Sequence, residues 1–201
     1  METLDETYWD NRYKTNATGW DLGEISTPLK TYIDQLTDKS LKILIPGGGN
    51  SYEAEYLFNN GFKNVFVVDI SETALQNIKA RIPKFPKKQL LHLDFFELDN
   101  TFDLIIEQTF FCALHPNLRP KYVHKMQNLL NTEGKLVGLL FDVPLYKDHP
   151  PFGGSKAEYI ALFDKYFKVL IMETAYNSHP ARKDRELFFI LKNEDLICLN
   201  S

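Results

Sequence analysis

The segment Lys42-Ile43-Leu44-Ile45-Pro46-Gly47-Gly48-Gly49-Asn50-Ser51-Tyr52 decides how this chain folds. A β-rich run leads directly into three glycines and then into a helical pattern. Glycine has no Cβ, so the backbone there can approach a ligand closely, and the first amides of the next helix stay free to donate. The dinucleotide fingerprint G-x-G-x-x-G needs its third glycine for close helix–strand packing. Counting from Gly47, that position is Tyr52, so only the shorter G-x-G remains. No G-x-x-x-x-G-K-[ST] occurs, which excludes a P-loop. Twenty residues after Gly49, a second β-rich run ends in Asp69, followed by Ile70. An acid at a strand's carboxyl end can accept hydrogen bonds from both hydroxyls of a ribose. Each feature is weak alone, since a strand-end Asp often just caps a turn. Together they favour a nucleoside cofactor, and the missing third glycine favours S-adenosylmethionine, which has no phosphate to cradle.

Outward from this segment, short β-rich runs alternate with helical stretches, the pattern of a parallel sheet covered on both faces. Strands are predicted at 41–46, 65–69, 89–93, 102–107, 135–142, 167–173 and 186–192. Helices are predicted at 51–60, 72–81, 120–130 and 155–165, with Gly61 past the first, Ser71 as N-cap of the second and Pro120 in the first turn of the third. The polar stretch 176–185 has no convincing helix, which suggests an antiparallel return of the last strand. Ahead of the sheet, helices near 5–14 and 28–36 flank an irregular stretch around Gly19-Trp20. The expected fold is therefore α/β and Rossmann-like: seven mostly parallel strands, an antiparallel last strand, helices on both faces and a small N-terminal helical cap. One domain is expected over 1–201, with 1–40 as the cap and 41–201 as the α/β core.

Ligands of doubly wound sheets bind outside the carboxyl ends of the strands. Asp94 closes the third strand and could accept from an adenine amino group near Phe95; equally, it could end a buried strand whose phenylalanines lie in the core. Glu107, Gln108, Phe110 and Phe111 follow the fourth strand and are expected to face the reacting end of the cofactor. Cys112 beside them reads as packing rather than as a nucleophile. His115, His149 and His179 each precede a proline and read first as turn residues.

The formal net charge of −4 gives no basic surface for nucleic acid. No apolar run reaches the ~20 residues of a membrane span. The first residues are acidic where a signal or transit peptide would be basic. Cys112 and Cys198 offer no disulfide framework, so a reducing cytoplasm is expected. His and Cys show no zinc-ligand spacing.

The chain resembles the thiopurine/thiol methyltransferase-like group, which includes plant-type halide and thiol methyltransferases. The resemblance runs through Trp9-Asp-Asn-Arg-Tyr13, Gly19-Trp20-Asp21-Leu-Gly23, Ile45–Gly49, Asp69 and Asp94-Phe95-Phe96. It continues through Phe102–Glu107, Phe110–Ala113, Arg119–Tyr122, Pro150-Pro151-Phe152 and Pro180–Lys183. It implies a class I methyltransferase fold, S-adenosylmethionine as cofactor with S-adenosylhomocysteine as product, and no metal. Trp9, Tyr13 and Trp20 resemble the aromatic cap over the cofactor, Gly47 the loop contact and Asp69 the ribose acceptor. Asp94 and Phe95 match the adenine-side pair. Gln108 stands where tyrosine or arginine is common, and the second loop glycine, Gly48, commonly varies. Gly49, Ile70 and Glu107 complete the expected cofactor set. Arg119 and Arg182 fall near substrate-pocket positions of the thiopurine branch and, with Phe110, Phe111 and Phe152, make the expected acceptor pocket. The implied reaction is an in-line methyl transfer to a small soft nucleophile: thiol, hydrosulfide, thiocyanate or halide. A monomer without nucleic-acid or membrane partners is expected. Two rivals stand beside it: a nicotinamide-dependent reductase, and a non-catalytic module that binds the same cofactor.

Overall fold

A computed structural model describes residues 3–194; Cys198 lies outside them. The seven strands are β1 (Lys42–Pro46), β2 (Asn64–Asp69), β3 (Leu90–His92), β4 (Phe102–Gln108), β5 (Leu130–Phe141), β6 (Lys168–Thr174) and β7 (Glu186–Lys192). The helices are α1 (Glu6–Lys14), α2 (Thr27–Ile33), α3 (Tyr52–Asn59), α4 (Glu72–Arg81), α5 (Arg119–Asn128) and α6 (Lys156–Phe163). One sheet has the order β3-β2-β1-β4-β5-β7-β6. β1 pairs in parallel with both β2 and β4, whereas β7 runs antiparallel to β5 and β6. The chain thus leaves β1 toward one edge and returns at β4 toward the other, which opens a crevice at their carboxyl ends.

Alternation along β1 sends its apolar side chains to two cores. Ile43 and Ile45 pack with Leu29 of α2, Leu57 of α3 and Ile78 of α4. Leu44 packs on the other face with Tyr122 and Met126 of α5 and Phe163 of α6. Burial on both sides explains why the strand reads as a continuous apolar run rather than an alternating one. Helix starts follow the expected chemistry: Ser71 Oγ accepts from Ala74 N at 3.1 Å, and Pro120 sits in the first turn of α5.

Three boundaries differ. α5 stops at Asn128, and β5 begins at Leu130, five residues ahead of the expected start at 135. Leu129 and Leu130 are buried core residues whose spacing mimics one more helical turn. Between Leu130 and Lys135 the register shifts, and Glu133 takes a left-handed conformation, φ +68°, that absorbs the extra residues. α2 ends at Ile33, short of 36. Inside 176–185, Pro180–Arg182 form a 3₁₀ turn.

Of the N-terminal elements, α2 buries Leu29 and Ile33 in the core, whereas α1 docks through polar contacts. Asp10 on α1 accepts from Ser71 Oγ at 2.8 Å and Thr73 N at 2.9 Å, fixing α1 over the start of α4. That places one face of α1 above the end of β2.

Candidate active site

Beneath the cap, at the carboxyl ends of β1, β2 and β4, lies a cavity of about 570 Å³. That volume is ordinary for a cofactor plus a small substrate. The glycine turn forms its floor. Gly47 and Gly49 have φ of +53° and +54°, a region that side chains other than glycine enter at a cost. A Cβ on Gly47 would stand 2.1 Å from the Phe110 ring, and one on Gly49 would stand 2.3 Å from the Tyr13 hydroxyl. Gly48, uninformative by resemblance, is equally constrained: its Cβ would fall 2.4 Å from Val67 Cγ1 in β2.

Asp69 is 7 % exposed and lines the cavity with Ile70. Its Oδ2 accepts from Gly49 N at 2.8 Å and its Oδ1 from Ser71 N at 2.7 Å. Burial pushes this carboxyl up, against the pull of the backbone amides of Ser71, Gly49 and Ile70. A carboxylate offers about four acceptor sites, more than these backbone amides fill, so the group can still accept from a ligand. The strand-end acid therefore rigidifies the glycine turn and remains able to bind.

Trp9, Tyr13 and Trp20 roof the cavity. Trp20 meets Trp9 edge-on at 5.6 Å and Tyr13 at 6.0 Å, so the three rings brace one another. The end of the third strand touches both the cavity and the core. Asp94 lines the cavity and also accepts from Phe96 N at 2.8 Å, while Phe95 is core and wall at once, edge-on to Phe110 at 5.2 Å.

Four expected residues are placed differently. Glu107 is 0 % exposed and turned away from the cavity. Its Oε1 accepts from Phe110 N at 2.7 Å and Phe111 N at 2.9 Å, and its Oε2 accepts from the Tyr122 hydroxyl. It clamps the tight turn in which Thr109 has φ +60°. Phe111 is 1 % exposed and packs on Tyr122 and Tyr159 in the core. Arg119 lies over the Phe111 ring and donates to Gly153 O at 2.8 Å, so it props the 150–154 loop and does not reach the cavity. Phe152, 1 % exposed, is tied by its backbone N to Cys112 O at 2.7 Å and lies behind the wall.

Gln108 points to the opposite side from Glu107, as alternation along β4 requires, toward a small adjoining pocket. Phe110 and Arg182 do line the cavity. Arg182 is 7 % exposed, donates to Trp20 O, and pairs with Glu186 at 3.2 Å. It joins the cap to β7. Sequence reasoning missed Arg12, whose guanidinium lies 5.6 Å from the centres of both the Tyr8 and Trp20 rings and lines the cavity. Its spacing from Trp9 and Tyr13 was the available signal, since i, i+3 and i+4 share one helix face.

Cys112 also lines the cavity, with its thiol donating to Thr109 O at 3.2 Å. Burial pushes the thiol up to about 12, so it stays protonated and unreactive at neutral pH. Cys112→Ala should therefore leave turnover within about threefold in a steady-state assay, the behaviour of a packing residue. A loss of a hundredfold or more would restore the nucleophile reading.

A sequence model described as "Thiopurine S-methyltransferase (TPMT)" matches residues 4–196, nearly the whole chain. The chain belongs to the thiopurine S-methyltransferase family. "Probable thiol methyltransferase 2" of Arabidopsis thaliana is 31% identical over 156 residues, 75% of this chain and 69% of that protein. "Thiocyanate methyltransferase 1" of Brassica oleracea is 29% identical over 192 residues, 92% of this chain and 84% of the relative. Among solved structures, the 1,6-didemethyltoxoflavin-N1-methyltransferase of Burkholderia thailandensis, with bound S-adenosylhomocysteine, shares the fold. It has a TM-score of 0.76 at 15% identity, covering 94% of this chain and 87% of that one.

This family member is an S-adenosylmethionine-dependent methyltransferase with a class I fold. The reductase and non-catalytic readings give way to methyl transfer. The site suits the cofactor on its own terms: a side-chain-free glycine turn, a strand-end carboxylate with spare lone pairs and an aromatic roof. Among the described residues, no group of three or more His, Cys, Asp or Glu could hold a metal ion, and no helix is long and apolar enough to cross a membrane.

Proposed function

We propose that this methyltransferase acts on a small soft anion, such as a thiolate, hydrosulfide, thiocyanate or halide, and uses no general base. The observation that carries this reading is the composition of the cavity wall. Beyond Asp69 and Asp94, its sides are Trp20, Phe110, Leu114, Leu145 and Tyr146, with the arginines Arg12, Arg182 and Arg185; no histidine lines it. His115 Nδ1 accepts from Asn117 N at 3.3 Å and His179 Nδ1 accepts from Ala181 N at 3.2 Å, so both are spent on capping turns. His149 bonds the carbonyl of Pro150 and lies outside the wall.

In this reading Asp69 takes the ribose hydroxyls, Asp94 and Phe95 hold the adenine, and Gly47 and Gly49 admit the amino-acid tail. The cofactor supplies an electrophilic methyl group on a sulfonium; the acceptor's lone pair forms the new bond as the old bond's pair returns to sulfur. An anion meeting a cation loses charge on the way to the transition state, so a dry pocket helps, and the Trp9–Tyr13–Trp20 roof keeps water out. Alignment between Phe110 and the roof is the chain's main contribution, worth ~7–11 kcal/mol in well-oriented cases.

The test offers iodide, hydrosulfide, thiocyanate and an aryl thiol to the enzyme and detects the methylated products by gas chromatography. Thiocyanate turnover should be flat from pH 6 to pH 9. Turnover of the aryl thiol should rise with the thiolate fraction and level off above that thiol's own pKa. Transfer to none of the four, or an aryl-thiol profile unrelated to the acceptor's ionisation, would sink the proposal.

A further inference from the structure

Two arginines that line the main cavity carry charges that no described residue answers. Arg12 reaches the cavity from α1, and Arg185 from the segment ahead of β7. Among the described residues, neither side chain makes an ion pair or a hydrogen bond. The Arg12 guanidinium lies 5.6 Å from the ring centres of Tyr8 and Trp20, and its Nε is buried without a hydrogen-bond partner. Stacking on a ring occupies the face of a guanidinium and leaves the N–H groups in its plane free to donate. A buried donor left unmet costs free energy that a ligand can recover.

The arginines first expected in the acceptor pocket are spent. Arg182 pairs with Glu186 and donates to Trp20 O, and Arg119 donates to Gly153 O behind the wall. The acids of the cavity, Asp69 and Asp94, take backbone amides and pair with neither free guanidinium. The cofactor's own carboxylate does not answer them in the placement above. Its tail runs along Gly47–Gly49, and neither arginine lines the small pocket against that turn. An anionic group on the acceptor is what remains.

The kind of anion follows from the chemistry. A guanidinium set directly against the attacking sulfur would stabilise the thiolate's lone pair and slow the transfer. Its planar fork matches a carboxylate, which accepts two parallel N–H bonds, better than it matches a halide or a single sulfur. We infer that Arg12 is a specificity-determining residue that grips a carboxylate on the acceptor, so that the favoured substrate is a small mercapto acid. Arg185 adds positive charge to the same cavity. The inference rests on the soft-nucleophile reading and narrows it. The thiolate sulfur forms the new bond to the methyl carbon, the electron pair of the sulfonium's C–S bond returns to the cofactor, and the carboxylate is unchanged. Because Arg12 rests on Trp20, an acceptor held there also steadies the roof.

The test compares 3-mercaptopropionate with 3-mercaptopropionamide, which keeps the thiol and loses the charge; thiocyanate serves as a carboxylate-free reference. At equal thiolate concentration, kcat/KM of the wild type should be at least about tenfold higher for the acid than for the amide, mostly through KM. Arg12→Gln should shrink that preference to less than about twofold. Arg12→Lys, which keeps the charge without the fork, should restore only part of it. Calorimetry with S-adenosylhomocysteine reads the cofactor site separately. A loss of that affinity as large as the loss of acid preference would assign Arg12 to the cofactor and overturn the inference, as would an unchanged preference in Arg12→Gln. The wild-type comparison depends on no variant folding. Equal use of acid and amide, with thiocyanate turned over, would overturn the inference and leave the soft-anion reading standing. Turnover of none of the three would overturn that reading, and the inference with it.

Discussion

Asp69→Ala should weaken S-adenosylhomocysteine binding by about 100-fold or more, the largest loss expected from any single cavity side chain. Two effects add. The ribose loses two hydrogen bonds to a charged acceptor, each worth ~1.5–3 kcal/mol. The glycine turn also loses its internal brace, because Gly49 N and Ser71 N both donate to this carboxylate. Some of the gross loss is recovered by water, and a net loss of about 3 kcal/mol corresponds to about 100-fold. Asp69→Asn should rescue little, although it keeps the shape. Each Asp69 oxygen faces a backbone N–H, so an amide must turn its NH₂ toward one of those donors. Calorimetry on both variants, with thermal melts to confirm folding, checks this. A change of less than about threefold for Asp69→Ala would mean that the ribose is held elsewhere.

The frame around Asp69 was readable because its signals are local. An apolar run into Gly47–Gly49 and a second run ending in an acid specify strands, a turn and a strand-end carboxylate without tertiary information. What was not readable depends on which way a side chain turns. Arg119, at the start of a helix and near aromatics, suits a substrate clamp and a loop strut equally well; only its bond to Gly153 O decides. Phe111 and Phe110 are adjacent and alike, yet one is core and the other wall, because the turn at Thr109 rotates them apart. The early start of β5 was hidden because Leu129 and Leu130 satisfy a helical period as well as a strand. Glu107 and Gln108 are a different case. The strand was expected to end at 107 but runs to Gln108, and a period of two turns neighbours on one strand to opposite faces, so only one of the pair can face a given site.

Glu107, turned inward, carries the largest expected effect on stability. Its carboxylate accepts from Phe110 N, Phe111 N and the Tyr122 hydroxyl in a fully buried setting. Glu107→Ala strips all three donors of their acceptor and leaves a cavity, so it should destabilise the fold by about 3–5 kcal/mol. It should also loosen Phe110 from Gly47 and so lower cofactor affinity. Glu107→Gln is the discriminating partner. Its carbonyl can accept from both amides, and the Tyr122 oxygen can accept from its NH₂, so the network survives without a charge. Burial pushes the Glu107 carboxyl from 4.5 up to about 7. Between those values the native state holds a proton that the unfolded chain has released, so this group's contribution falls as pH rises. The loss begins above pH 4.5, is complete once pH passes about 7, and amounts to about 3 kcal/mol. The glutamine variant has no such proton to lose. Urea denaturation at pH 5 and pH 8 should therefore show Glu107→Gln gaining on the wild type by about 2.5 kcal/mol at the higher pH. If the difference between the two proteins is the same at both pH values, the buried carboxyl is ionised throughout, and the clamp on the Phe110 turn is a charged one.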